Sequence, residues 1–150
     1  MKSTGPGQAR HHRRVSLVIV LGVGAGGVLG AGARYGVSLA LPAPDGAFPW
    51  STFIINLTGS ALLGLLLTLL SERFPRGQLA RSVLGTGVLG AYTTFSTFEV
   101  DALLLWRSHH YLLVALYALG SVLGGLSAVW LGMVGARLLV RAERRLREPR

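Results

Sequence analysis

One amide and a row of small or hydroxyl residues recur along a single apolar stretch of the chain. Thr52, Asn56, Ser60, Gly64 and Thr68 follow one another at a spacing of four residues, so a helix would align them on one face. Amide and hydroxyl groups are costly in lipid unless they face a partner or water. They are also donors that can replace the hydration shell of an anion. The stripe therefore favours a functional polar face over close packing alone.

A second segment combines glycine, threonine and aromatic residues near the middle of another apolar stretch. Residues 85–90 read Gly-Thr-Gly-Val-Leu-Gly, and residues 91–98 read Ala-Tyr-Thr-Thr-Phe-Ser-Thr-Phe. Glycine and β-branched residues are poor helix formers, so we expect the helix to break here. Irregular backbone at membrane depth is tolerated only inside protein or beside a water-filled path, and its polar groups can bind ions.

Two phenylalanines of this segment are placed to contact an anion. Phe95 and Phe98 are three residues apart and share a helix face with hydroxyls from Thr94 and Thr97. The edge of an aromatic ring is positive, so ring edges can join hydroxyl and amide donors around a negative ion. Ordinary lipid or core contact would explain the rings alone. Beside a midmembrane break and Asn56, they favour an anion path.

The composition places these residues in a membrane. The 150 residues are 51% apolar and only 14% charged, with a mean hydropathy of +0.52 and no cysteine, whereas about 25% of a soluble domain is charged. The apolar content excludes a disordered nucleic-acid-binding tail despite the net charge of +9. Lack of cysteine excludes thiolate chemistry, and no His–carboxylate cluster lies within a span, so an enzyme is not expected.

Four windows without Asp, Glu, Lys or Arg define the spans: residues 15–33, 46–71, 82–98 and 108–136. A helix crosses the membrane in about 20 residues. We therefore predict an all-α integral membrane protein with four transmembrane helices, near 15–40, 50–71, 80–106 and 110–138, the third of them broken. This membrane domain, residues 15–138, would lie between two basic tails, residues 1–14 and 139–150. A cleaved signal peptide is the alternative for the first window, but the apolar run is too long for one.

Small residues at four-residue spacing predict close contacts between the helices. They are Gly22, Gly26 and Gly30 in the first helix, and Gly120, Gly124, Ala128, Gly132 and Ala136 in the fourth. Such spacing lets helix backbones approach closely in lipid. For these two helices we expect packing and no further role.

The basic residues predict the orientation of the chain. With four helices, thirteen of the fifteen Lys and Arg residues lie on one side of the membrane, Arg107 lies on the other, and Arg34 lies within a span. The positive-inside rule then predicts a multi-pass protein of the cell membrane with both termini in the cytoplasm. The arginines after residue 140 are expected to contact anionic membrane lipid, and no nucleic acid partner is expected.

Three stretches together resemble the Fluc (CrcB) fluoride channel family. They are Gly26-Gly27-Val28-Leu29-Gly30-Ala31 through Arg34-Tyr35, then Trp50-Ser51-Thr52-Phe53-Ile54-Ile55-Asn56-Leu57-Thr58-Gly59-Ser60, then Gly90 through the Thr-Thr-Phe-Ser-Thr-Phe run ending at Phe98. The likeness covers about residues 15–138. It implies an antiparallel dimer of four-helix subunits with two narrow pores and a central structural Na⁺ at the dimer interface. It also implies passive export of cytoplasmic fluoride, which lowers fluoride toxicity.

The resemblance further implies roles for single residues. The fluoride pore would be lined by the amide of Asn56, the rings of Phe95 and Phe98, the hydroxyls of Thr52 and Thr97, and Tyr117 and Ser121 of the fourth helix. Arg34 would be a structural cation, the backbone carbonyls of Gly90 and Thr93 would hold Na⁺, and Asp101 matches an acid near a pore mouth. The sequence departs from the family at Gly125, where a serine is common, and at Ala91-Tyr92, where smaller residues are.

Two other classes of membrane protein stay open at this point. A small four-helix proton-coupled exporter would need a carboxylate inside its first helix, where this chain has Arg34 instead. A non-transporting assembly subunit would explain the glycine stripes but not the Asn56 face.

The charge map also bears on the dimer. An antiparallel dimer forms when one sequence inserts in both orientations or when two related sequences insert oppositely. Because the Lys and Arg bias sets orientation, this chain is expected to insert one way only. We therefore expect its partner to be an oppositely oriented homologue.

Overall fold

The computed structural model of this chain describes the backbone of residues 6–44, 46–74 and 77–147, and side chains between residues 17 and 146 within those ranges. Its elements are α1 (Pro6–Ala40), α2 (Trp50–Arg73), α3 (Gln78–Ala80), a π-helix (Arg81–Leu89), α4 (Gly90–Tyr92), α5 (Ser96–Arg107) and α6 (Tyr111–Arg147). No strand occurs among the described residues, so the all-α prediction is confirmed.

Three of these helices are long and apolar enough to cross a membrane: Leu17–Ala40 in α1, all of α2, and Tyr111–Leu146 in α6. Between α2 and α6 the chain runs through α3, the π-helix, α4 and α5, which we call the third membrane segment (Gln78–Arg107). None of its pieces reaches the roughly 20 residues that a crossing requires. The structure therefore has the four-segment plan with a broken third segment that the sequence predicts.

The first and last helices are longer than the predicted spans. α1 begins at Pro6 and α6 continues to Arg147. The extension of α6, residues 139–147, is rich in Arg, Leu and Ala, which are good helix formers. The basic residues there thus extend the helix. Of the predicted tails, residues 1–14 and 139–150, the parts at residues 1–5 and 148–150 lie outside the described residues.

The first close crossing joins α1 to the π-helix. A Cβ added at Gly26 would lie 2.7 Å from the carbonyl oxygen of Val83, and one added at Gly87 would lie 2.8 Å from that of Val23. Backbone packs on backbone here, and no side chain larger than hydrogen fits. The packing prediction for the glycines of the first helix is confirmed.

The second close crossing joins α2 to α6. A Cβ at Gly64 would collide with the carbonyl of Val129, and one at Gly132 would collide with the carbonyl of Ala61. The glycine stripe of α6 therefore also serves packing. The two crossings leave α2 and the third membrane segment side by side, which is where the polar residues meet.

A tight turn at His109 and His110 joins α5 to α6. His109 has a positive φ of 60°, and the amide of His110 donates to the carbonyl of Leu105 (3.0 Å) while that of His109 donates to Trp106 (3.0 Å). This is the Schellman arrangement that ends a helix. The reversal brings Tyr117 of α6 back against α5.

Candidate ion pathway

The third membrane segment breaks at Thr93. Its backbone is extended there (φ −73°, ψ 157°), between the end of α4 and the start of α5. The break falls within the glycine- and threonine-rich segment, as predicted. It follows a nine-residue π-helix, a wide form of helix that is common at functional sites and that the sequence pattern did not predict.

The side chain of Asn56 closes this break. Its Nδ2 donates to the carbonyl of Thr94 and its Oδ1 accepts from the amide of Thr94, both at 2.9 Å. The amide thus replaces two hydrogen bonds that an interrupted helix cannot make, which in lipid would leave two costly unsatisfied groups. Asn56 has one further N–H, which remains able to donate to an ion.

The hydroxyl of Thr94 forms hydrogen bonds with the first turn of α5. Its Oγ1 accepts from the amide of Thr97 (3.2 Å) and lies 3.1 Å from the Thr97 hydroxyl, to which it donates. A threonine oxygen in this position satisfies one of the free amides at a helix start. Because the Thr97 oxygen accepts in this pair, its own hydrogen is available to another acceptor.

A cavity of about 330 Å³ opens beside the break, between α2 and the third membrane segment. Four of the predicted site residues line it: Asn56, Gly90, Thr93 and Phe95. The ring of Phe95 is 73% exposed in the subunit. The structure therefore brings the amide, one ring and both predicted carbonyl residues to one place.

An aromatic run continues from this cavity. The ring of Phe98 lies 5.8 Å from that of Phe95 and 4.9 Å from that of Tyr117, measured between centroids. Tyr117 is fully buried and also contacts the edge of Phe48 at 5.4 Å. The two predicted phenylalanines thus connect the cavity to α6.

Polar groups surround the far end of the run. The hydroxyl of Tyr117 donates to Asp101 Oδ2 at 3.3 Å, and the buried Thr52 lies close to the same hydroxyl. The single hydroxyl hydrogen of Tyr117 is therefore donated to Asp101, so the Tyr117 oxygen faces Thr52 as a hydrogen-bond acceptor. Asp101, Tyr117 and Thr52 form one hydrogen-bonding group.

Ser121 lies one helical turn beyond Tyr117 on α6. Its Oγ is buried and has no hydrogen-bond partner among the described residues. A buried hydroxyl without a partner is uncommon and calls for an acceptor or donor from outside the chain. At Gly125, one turn further on, an added Cβ would lie 3.7 Å from Ser60 Oγ, an ordinary contact.

The two carbonyls expected to hold Na⁺ lose their usual donors. An unbroken helix would give the Thr94 amide to the carbonyl of Gly90 and the Thr97 amide to that of Thr93. Here the first amide donates to Asn56 and the second to the Thr94 hydroxyl. Carbonyl oxygens released in this way suit a hard cation.

Two predicted features stand apart from the cavity. Arg34 is half-buried on α1, forms no hydrogen bond or ion pair with a described residue, and does not line the cavity. Tyr92, one of the departures from the family, points its hydroxyl to Thr58 Oγ1 at 3.0 Å. That contact ties α4 to α2 beside the break.

Thr94 and Ser60 also line the cavity, although the sequence placed Thr94 only among the hydroxyls beside the two rings and gave neither residue a role of its own. The spacing of Ser60 from Asn56 marked it as part of the polar stripe. No sequence signal could pair Thr94 with Asn56, because the two residues are 38 positions apart.

The fold and the site define a class: a multi-pass helical membrane protein whose interrupted helix lines a cavity that contains the Asn56 amide and the Thr93 and Thr94 side chains. The family model described as "CrcB-like protein, Camphor Resistance (CrcB)" matches residues 21–133. The chain belongs to this CrcB family.

Named relatives cover 76% to 94% of the chain. It is 36% identical to Fluoride-specific ion channel FluC 1 of Streptomyces coelicolor, over 94% of this chain and 90% of the relative. It is 40% identical to Fluoride-specific ion channel FluC 2 of Nocardia farcinica, over 85% and 91%. It is 44% identical to Fluoride-specific ion channel FluC of Chloroflexus aurantiacus, over 76% and 91%.

Proposed function

We propose that this chain is one subunit of a fluoride-selective channel through which cytoplasmic fluoride leaves the cell passively. The observation that supports it most is the meeting of the Asn56 amide, the exposed Phe95 ring and the broken backbone at Thr93 in one cavity. The names of the relatives favour a channel over the exporter and the assembly subunit. The task is ion transport, and no enzymatic step is part of it.

Three kinds of donor are available to an anion in the cavity and beyond it. They are the second N–H of Asn56, the hydroxyl hydrogen of Thr97 and the positive ring edges of Phe95 and Phe98. Past the rings the anion would meet Thr52 and the hydroxyl of Ser121, which has no partner among the described residues, with Tyr117 between them. Neither Arg34 nor Asp101 needs to touch the ion in this path.

Selectivity follows from short, rigid donors. The Asn56 amide is held by two hydrogen bonds, so it cannot retreat to accept a larger ion. We expect fluoride efflux to exceed chloride efflux strongly in the same liposomes. Comparable chloride flux would indicate a general anion leak instead.

We infer that the carbonyls of Gly90 and Thr93 hold a structural Na⁺. Both have lost their helical donors, and two oxygens are too few for a hard cation, so a second subunit would supply the rest. Bound Na⁺ would stabilise the interrupted backbone at Thr93, because the cation attracts the carbonyl oxygens of Gly90 and Thr93. The purified dimer should melt at a higher temperature in NaCl than in KCl of equal ionic strength, and identical melting would contradict the site.

The proposed assembly is an antiparallel dimer with an oppositely oriented homologue. Thirteen of fifteen basic residues lie on one side of the predicted topology, which favours a single orientation with both termini cytoplasmic. An antiparallel pore then needs a partner whose termini lie outside. The exposed apolar surface of the subunit, such as Leu29 and Leu126 at 69% and 66% exposure, suits contact with lipid and with that partner.

Single cysteines test the orientation, since the chain has none of its own. Ser3→Cys and Ser108→Cys would be treated on intact cells with an impermeant thiol reagent. We expect labelling at residue 108 only. Labelling at both positions would indicate dual insertion and defeat the heterodimer.

Fluoride efflux from liposomes tests the function itself. The chain would be reconstituted alone and together with an oppositely oriented homologue from the same organism, and fluoride would be followed with an ion-selective electrode. We expect rapid efflux from the pair. Silence of both preparations would reject the channel, while robust efflux from the chain alone would reject only the obligate partner.

A further inference from the structure

A second cavity, of about 410 Å³, lies next to the one that contains Asn56. It is lined by Leu63, Leu67, Arg81, Ser82, Gly85 and Thr86. Leu63 and Gly85 line both cavities, so the two adjoin each other between α2 and the π-helix, and together we call them the groove. The groove runs from the end of α2 to the break.

Arg81 is the charged residue of this groove. Its Nη2 donates to the carbonyl of Leu70 at 3.3 Å, which anchors the guanidinium near the end of α2. Its Nε is buried and has no acceptor among the described residues. A buried guanidinium N–H without an acceptor is expensive, and an anion in the groove would supply one.

Among the described residues, no acid forms an ion pair with Arg81. The carboxylates at this end of the molecule, Glu72 and Glu143, pair with Arg144 and Arg73. These four residues line a separate cavity. Among the residues that line the groove, none is acidic.

We propose that Arg81 is the cation that draws small anions into the groove and delivers them toward Asn56. A fixed positive charge in a low-dielectric cleft raises the local anion concentration and the rate of entry. Arg81 is a positioning residue in this sense, because it acts on the supply of the ion and not on its passage between the rings. The assignment rests on the proposed function for its role in transport, but the charge of the groove is measurable without transport.

The direct test uses Thr86→Cys as a reporter in the groove, because Thr86 is exposed and the chain has no other cysteine. Its modification rate is measured with an anionic and a cationic methanethiosulfonate, each corrected for its rate with a free thiol. We expect the anionic reagent to react about tenfold faster. This preference should fall toward one in Arg81→Gln, stay in Arg81→Lys, and shrink as ionic strength rises.

Arg73→Gln is the matched control, because it removes one positive charge at the same end of α2 but outside the groove. It should leave the reagent preference unchanged. A preference that Arg81→Gln does not alter would overturn the proposal. Arg81→Gln loses its contact with Leu70 and could fail to fold for that reason. In that case Thr86→Cys with Arg81 intact decides, and equal rates of the anionic and cationic reagents at low salt would overturn the proposal.

Transport gives the second readout. Arg81→Gln should raise the fluoride concentration for half-maximal efflux several-fold and leave the maximal efflux nearly unchanged, whereas loss of the maximum alone would contradict a role in supply. If the reagents show the expected preference but no preparation transports fluoride, the channel is rejected and the anion-attracting groove stands. Normal fluoride efflux in Arg81→Gln, together with an unaltered reagent preference, would reject the role of Arg81 in anion supply and leave the channel unaffected.

Discussion

The two helix crossings and the helix break solve the same problem in opposite ways. At the crossings, Gly26 and Gly132 let one backbone touch another by presenting no side chain. At the break, Asn56 keeps a backbone from being exposed by presenting a side chain of the right shape. The comparison teaches that small residues in this chain let its helices pack closely, while a polar residue satisfies the interrupted backbone beside a cavity.

The largest effect is expected at the crossings. Gly132→Leu would drive a side chain into the carbonyl of Ala61, and overpacking of this kind costs about 1–3 kcal/mol or more. We expect loss of the folded subunit, seen as aggregation in size-exclusion chromatography. Gly24→Ala is the control, since nothing lies within 4 Å of its added Cβ; equal behaviour of both variants would contradict the backbone contact.

The next largest effect is expected at Asn56. A substitution there should alter transport without loss of folding, unlike a substitution at the helix crossings. Asn56→Asp keeps the acceptor for the Thr94 amide but removes the N–H donors and adds a negative charge. Fluoride efflux should be abolished while the dimer still assembles. Thr68→Ala, on the same stripe of α2, should conduct normally, and normal efflux in Asn56→Asp would sink the assignment of this face.

A strong reduction of efflux is expected from the rings. Phe95→Ile and Phe98→Ile keep bulk but lose the positive ring edge. Phe95 is mostly exposed in the subunit, so its replacement should leave stability unchanged, whereas Phe98 contacts Tyr117 and should also lower the melting temperature slightly. Phe74→Ile, outside the site, serves as the control, and unchanged efflux in both ring variants would favour plain packing.

The smallest effect is expected at Ser121 of α6. The glycine stripe of this helix packs against α2, whereas the Ser121 hydroxyl is buried without taking part in that packing. Ser121→Ala removes a buried hydroxyl that has no partner in the described part of the chain, so stability should stay the same or rise. Efflux should fall only a few-fold. A marked loss of stability would show that Ser121 has a structural bond, and unchanged efflux would remove it from the path.

The sequence by itself determined the spans, the positions of the glycine contacts and the place of the break. Each of these depends on local chemistry: about 20 uncharged residues cross a membrane, glycines four apart share a face, and the glycines and threonines of residues 85–98 are poor helix formers. Most members of the candidate site were predictable for the same reason. Their motifs lie in short continuous stretches around Asn56 and Phe95.

Only the tertiary structure decided which groups those residues meet. The bond of Asn56 to Thr94 spans 38 positions, and the groove that contains Arg81 exists because α2 lies beside a π-helix. Hydrogen bonds and charges act over a few ångströms, while a sequence pattern records only separation along the chain. The local pattern could therefore name the donors of the site, but the packing of two glycine crossings determined where those donors point.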